Sequence, residues 1–236
     1  MDGLARRRTL TLLAISSLTV MSGATIAPSL PALKAHFADT PGVELLSRLV
    51  LTVPALAIAL CAPLAGAVID RFGRRPVLLA MLVVYALAGA SGLLLDSLGA
   101  ILAGRAALGV AVASLMTAAT ALAGDYFQGA ERERFLGRQA AFMGAGGVVF
   151  LVGGGLLADL HWRGPFAIYA LSLLLIPAVI ATLTPPAAQP AGAGDAPPPS
   201  MPWGRMAAVY ATAALGMVAF YMIPVQLPFY IQAMGV

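Results

Sequence analysis

Charge is scarce in these 236 residues. Asp, Glu, Lys and Arg together make up 10% of the chain, against about a quarter in an ordinary soluble domain. There is one lysine, Lys34, one cysteine, Cys61, and two histidines, His36 and His161. A single cysteine excludes a disulfide within the chain. The histidines fall in connecting segments at no metal-ligand spacing, so no metal site is expected. The lone lysine is also in a connection, which leaves no late-helix lysine for a retinal Schiff base and argues against a rhodopsin-like receptor. No Asp, Glu or His lies inside a long apolar run, which argues against a membrane-embedded enzyme.

What remains is hydrophobic. Apolar residues make up 60% of the chain and the mean hydropathy is +0.91. Such a chain belongs in lipid, where each backbone polar group must be satisfied within its own segment, so helices are expected. The alternating ten-residue pattern of a membrane barrel is absent. The net charge of +4 does not point to nucleic acid, because the basic residues sit between apolar runs, as topology signals do. The fold class is therefore all-α membrane protein, with the lipid bilayer as its surroundings.

Seven spans are predicted, over 9–31, 46–69, 76–95, 99–123, 137–158, 165–184 and 205–233. Each is long enough to cross a hydrocarbon core of about 30 Å. Arg6-Arg7-Arg8 before an apolar run resembles a signal peptide. The uncharged stretch from Thr9 to Leu33 is, however, longer than the usual apolar region of one, which favours a retained first helix. Seven prolines between 185 and 202 cannot form a helix and mark a linker. The predicted units are a six-helix bundle (1–184), a linker (185–204) and one further transmembrane helix (205–236). Ten basic residues fall on one side of the membrane (Arg6, Arg7, Arg8, Arg71, Arg74, Arg75, Arg132, Arg134, Arg138, Arg205) and three on the other (Lys34, Arg48, Arg163). The positive-inside rule makes the first side, with the N-terminus, cytoplasmic.

Where charge does occur, it is concentrated. Gly66-Ala-Val-Ile-Asp70-Arg71-Phe72-Gly73-Arg74-Arg75-Pro76 is a short charged turn between two apolar runs. Gly155-x3-Asp159-x3-Arg163-x-Pro165 repeats Gly66-x3-Asp70-x3-Arg74-x-Pro76 at an offset of 155 − 66 = 89. Three spans separate the copies, so the two turns should face opposite sides, as in an inverted repeat of three helices plus three.

The Gly66–Arg75 stretch closely resembles the signature G-x-x-x-D-R-x-G-R-[RK] of the major facilitator superfamily. Arg105-x3-Gly109 resembles that family's fourth-helix arginine motif, and Trp162-Arg163-Gly164-Pro165-Phe166 resembles the usual start of its sixth helix. The resemblance covers the whole chain. It implies a twelve-helix fold of two six-helix bundles, of which this chain is the first bundle, the linker and the seventh helix, with the remaining C-terminal half expected as a partner. It also implies a secondary active transporter in a bacterial-type cytoplasmic (inner) membrane, with a small-molecule solute and export favoured over uptake. The alternatives are an uptake permease and a truncated half-transporter with no activity of its own. One departure sets the chain apart from the drug/proton antiporters. Their fifth-helix G-P-x-x-G-G reads Val149-Phe150-Leu151-Val152-Gly153-Gly154 here.

By this resemblance Gly66, Asp70, Arg71, Gly73, Arg74 and Arg75 form a cytoplasmic latch between the two halves. Arg105 is the one ionisable residue well inside a span, where a charge costs roughly 2.5–3.5 kcal/mol on insertion scales. It is expected either to serve a substrate cavity or proton coupling, or to snorkel to the outer surface. Gly109, Val112, Met116, Thr117 and Thr120 share its face by helical spacing. Tyr221 and Gln226, beside Pro224 and Pro228 in the seventh span, are read as a second cavity wall or an interfacial belt. No cofactor is expected. With no carboxylate inside a span, either a proton carrier lies beyond this chain or the protein is not proton-driven. The glycines of the fifth span point to close packing or to a flexible gate.

Overall fold

Helix ends in this chain follow the hydrogen-bonding backbone rather than the edge of the apolar run. The computed structural model describes residues 3–184 together with 204, 207, 208, 211, 212, 214–216, 218, 219, 222, 226, 230 and 231. Its helices are α1 (Gly3–Ala24), α2 (Leu30–His36), α3 (Val43–Phe72), α4 (Arg74–Ala90), α5 (Leu98–Tyr126), α6 (Gly129–Leu160) and α7 (Leu175–Thr182). No strand occurs among the described residues. Six stretches are long and apolar enough to cross a membrane: Gly3–His36, Val43–Phe72, Arg74–Leu93, Leu98–Tyr126, Gly129–Leu160 and Gly164–Thr182. They match the first six predicted spans. The fifth begins eight residues earlier than predicted, because Glu131, Arg132, Glu133 and Arg134 are good helix formers that continue the helix past the lipid.

Two spans are broken. Pro28 and Pro31 interrupt the first, which passes through a 3₁₀ turn at Ala27–Ser29 before restarting as α2. The sixth opens as an 11-residue 3₁₀ segment, Gly164–Leu174, and continues as α7. Among the spans, α1 and α5 are the most buried and α6 the least. α5 packs on α3, α4 and α1.

Two compact units are present, Met1–Pro185 and Pro186–Val236. The predicted linker, apart from Gly204, lies outside the described residues, as does much of the seventh span. The described residues of that span are helical.

Each end of the first unit is fastened by its own chemistry. At the arginine-rich end, Arg8 Nε donates to the Thr182 carbonyl at 2.9 Å and Arg75 Nη2 to the Ile180 carbonyl at 2.8 Å. Cations at a helix C-terminus satisfy carbonyls that have no in-helix partner. At the other end Phe37 meets Trp162 at 5.7 Å between ring centres, and Arg163 pairs with Asp96 and donates to the Leu93 carbonyl at 3.0 Å. The Asp70 turn precedes α4 and the Arg163 turn touches the residues that follow it, so the two turns stand at opposite ends of α4.

Candidate functional site

Gly73 joins α3 to α4 with φ 85° and ψ 152°, a region of backbone space that is essentially closed to residues with a Cβ. That conformation lets the chain reverse within one residue, and it sets the neighbouring arginines at the mouth of the turn. Arg74 forms an ion pair with Asp125, at the end of α5, and donates to the Ala121 carbonyl at 3.3 Å. Arg75 reaches α7 as described above. Arg71 lies over the ring of exposed Phe72 at 5.6 Å. Asp70 is exposed, and among the described residues its carboxylate has no ion-pair partner. A Cβ on Gly66 would meet nothing within 4 Å. Gly73→Ala is expected to cost about 1–3 kcal/mol, read as a lower melting temperature in detergent, whereas Gly66→Ala should leave melting unchanged or raise it slightly.

The second constellation surrounds Arg105. This side chain is 1% exposed, so it does not snorkel. Its Nε donates to the Val50 carbonyl at 2.9 Å, its Nη1 to the Tyr169 hydroxyl at 2.7 Å, and its Nη2 to the Ser22 carbonyl. The Tyr169 hydroxyl donates in turn to the Ser22 carbonyl at 2.9 Å. Both acceptor carbonyls are spare for a local reason. Pro54, four residues after Val50, has no N–H to offer it, and Ser22 lies in the last turn of α1. One guanidinium thus ties α5 to the first, second and sixth spans. Gly109, one turn on, lies against α3 so closely that a Cβ would stand 2.5 Å from the Pro54 carbonyl oxygen.

The stripe predicted along α5 therefore divides. Arg105, Gly109 and Val112 are buried. Met116, Thr117 and Thr120, with Ala121 and Gly124, line an open groove of about 480 Å³ that Arg132 of α6 closes on one side. Thr117 donates its hydroxyl to the Ala113 carbonyl at 2.8 Å, so its oxygen presents lone pairs to the groove. Gly155, Asp159, Arg163 and Pro165 gather at the opposite end of the unit, where Pro165 is buried and Asp159 exposed. Gln226 is helical and exposed in the second unit; Tyr221 lies outside the described residues. The sequence reading did not single out Tyr169 or Asp125, and it counted Arg132 only among the charges that set topology. Only Asp125 carried a signal, as an acid at the end of a span on the same side as Arg74.

The model described as Major Facilitator Superfamily matches residues 12–236. The tetracycline resistance protein, class C, of Escherichia coli is 36% identical over 141 residues, covering 60% of this chain and 35% of that protein. The bacillibactin exporter of Bacillus subtilis (strain 168) is 33% identical over 125 residues, covering 50% and 31%. The chain thus spans about a third of the length of these relatives. Among solved structures, a bacterial homologue of the human lysosomal transporter Spinster, inward-facing and occupied, superposes with a TM-score of 0.64 at 19% identity, over 76% of this chain and 44% of that one. A D-xylose–proton symporter gives 0.63 at 15% identity, over 91% and 53%. At these identities the likeness shows the fold.

Proposed function

The chain belongs to the Major Facilitator Superfamily, and on that premise we propose that it forms the first bundle of a secondary active exporter of small organic solutes, working by alternating access. The observation that carries this reading is the groove on α5 and α6. It offers an apolar, adaptable surface at Met116, a hydroxyl oxygen acceptor at Thr117 and a cationic donor at Arg132. Such a wall suits a solute with an apolar body and a polar or anionic edge. Export is favoured because the relatives include a protein named for tetracycline resistance and one named a bacillibactin exporter. Residues 205–236 are read as the first helix of a second bundle.

Alternating access needs bundles that move without deforming. The Arg105 node supplies that stiffness here by joining four spans at one buried cation. The charged turn supplies the contact between bundles. Arg74 is already paired with Asp125, so Asp70 and Arg71, both exposed and without an ion-pair partner among the described residues, are the members left to bond with a partner outside this unit. We place the arginine-rich end in the cytoplasm on the basis of the 10-to-3 distribution of basic residues.

Cells carrying the protein should accumulate less of an amphipathic organic dye than cells without it. Asp70→Asn should reach the membrane at normal levels yet export at least about tenfold more slowly, since one charge-assisted bond contributes about 1.5–3 kcal/mol. Dye export by Asp70→Asn at the wild-type rate refutes the latch. Equal accumulation with and without the protein, across cationic, neutral and anionic dyes, refutes the exporter.

A further inference from the structure

The sixth span is the shortest of the six, 19 residues against 20 to 34 in the others. Wound throughout as α-helix it would measure about 28.5 Å, just under the hydrocarbon core of about 30 Å. Its 11-residue 3₁₀ segment, Gly164–Leu174, rises about 2.0 Å per residue. With the eight residues of α7, the span reaches about 34 Å. The added length carries it to fastenings at both ends.

Runs of 3₁₀ beyond three or four residues are uncommon, because their hydrogen-bond geometry is poorer than that of an α-helix. This one relies on its surroundings. Phe166, Tyr169 and Ser172 are buried at every third position, which 3₁₀ winding places in one row. The Phe166 ring occupies the space that a Cβ on Gly92 would fill. Tyr169 accepts from Arg105, and Ser172 Oγ donates to the Leu82 carbonyl at 3.2 Å. Beside Gly164, Arg163 is held by Asp96 and the Leu93 carbonyl. The other end is clasped from three helices. Besides the bonds from Arg8 and Arg75 to α7, Arg8 Nη2 donates to Thr184 Oγ1 at 2.8 Å and the Tyr126 hydroxyl donates to the Thr184 carbonyl.

We propose that this clasp keeps the half of the segment beyond Tyr169 wound as 3₁₀, and that releasing it rewinds residues 170–174 as α-helix. Each of the five residues then shortens by about 0.5 Å, so α7 is drawn about 2.5 Å toward Tyr169. Tyr169 stays on Arg105 and Phe166 stays against Gly92. Ser172 leaves the Leu82 carbonyl, turned about 60° around the axis relative to Tyr169, because α winding advances about 100° per residue and 3₁₀ winding about 120°. The arginine-rich end thereby gains a movement that leaves the Arg105 node intact. The assignment depends neither on which solute is transported nor on its direction.

Pairs of nitroxide labels read the winding in the purified full chain, in a Cys61→Ala background. They are placed at exposed positions, on Ala170→Cys with either Leu173→Cys or Leu174→Cys. Residues three apart eclipse in 3₁₀ winding, whereas residues four apart are neighbours only in α winding. With the clasp intact, dipolar broadening should be strong for 170/173 and weak for 170/174. Arg8→Gln/Arg75→Gln should make it strong for 170/174. Arg75→Gln alone removes a single bond of the clasp, and should do so in part even where the double variant fails to fold. Arg6→Gln/Arg7→Gln takes the same charge from residues that hold no carbonyl of the sixth span among the described residues, and should change neither pair. Strong 170/174 broadening with the clasp intact overturns the proposal. So does weak 170/174 broadening after release, or an equal change in the control.

Discussion

Arg105→Leu should insert at least as well as the wild type, melt about 4–8 °C lower and lose transport. Two effects oppose each other, and they act at different stages. Insertion gains, because a mid-span arginine is removed and its cost of roughly 2.5–3.5 kcal/mol disappears. The folded bundle loses three hydrogen bonds, to Val50, Tyr169 and Ser22. Interhelical bonds in membranes average about 0.6 kcal/mol, so three contribute about 2 kcal/mol, and a chain of this size loses about 2–4 °C for each kcal/mol. The Val50 carbonyl fares worst, since Pro54 leaves it no other donor, whereas Ser22 keeps Tyr169. Arg105→Lys tests whether charge or shape matters. One ammonium cannot span acceptors on three helices, so lysine should restore neither melting nor transport. Recovery of both with lysine would mean that a positive charge alone is sufficient. Unchanged melting in Arg105→Leu would mean that the node does not hold the bundle together.

Gly154→Ala should lower the melting temperature by a comparable amount, while Gly144→Ala should leave it unchanged or raise it slightly. Both glycines lie in α6, ten residues apart. A Cβ on Gly154 runs into the carbonyl and Cα of Thr25, at the break in the first span. The obstacle is backbone, so no side chain can turn aside, and overpacking of this kind costs about 1–3 kcal/mol. A Cβ on Gly144 meets nothing within 4 Å, and there alanine is the better helix former by roughly 0.5–1 kcal/mol. Melting curves of the two purified variants decide the matter. Shifts of the same sign would refute the packing account and return these glycines to the role of a flexible gate.

The six spans of the described unit are legible in the sequence because lipid forbids charge, and scarce charge marks their ends. The Gly66–Arg75 turn is legible for the same reason. What Arg105 does is not. Its acceptors are two backbone carbonyls and a tyrosine hydroxyl, and carbonyls leave no mark in a sequence. The one available clue is indirect: Pro54 frees the carbonyl four residues before it, but nothing in the chain says that Arg105, 55 residues from Val50, will take it. The Arg74–Asp125 pair is hidden in the same way, since each residue also reads as a topology charge. The break in the first span is foreshadowed by Pro28 and Pro31. The long 3₁₀ stretch of the sixth span is not, because Gly164–Leu174 is an ordinary apolar run once past Pro165.

The clasp between Arg8 and Thr182 spans 174 residues. A ribosome must deliver nearly the whole of the first unit before that arginine can meet its acceptor. During synthesis the N-terminal segment is therefore threaded early but tied down late, and the sixth span acts as the keystone. A nascent chain released before Ile180 leaves both Arg8 and Arg75 without their carbonyls, although every partner of Arg105 has by then been made.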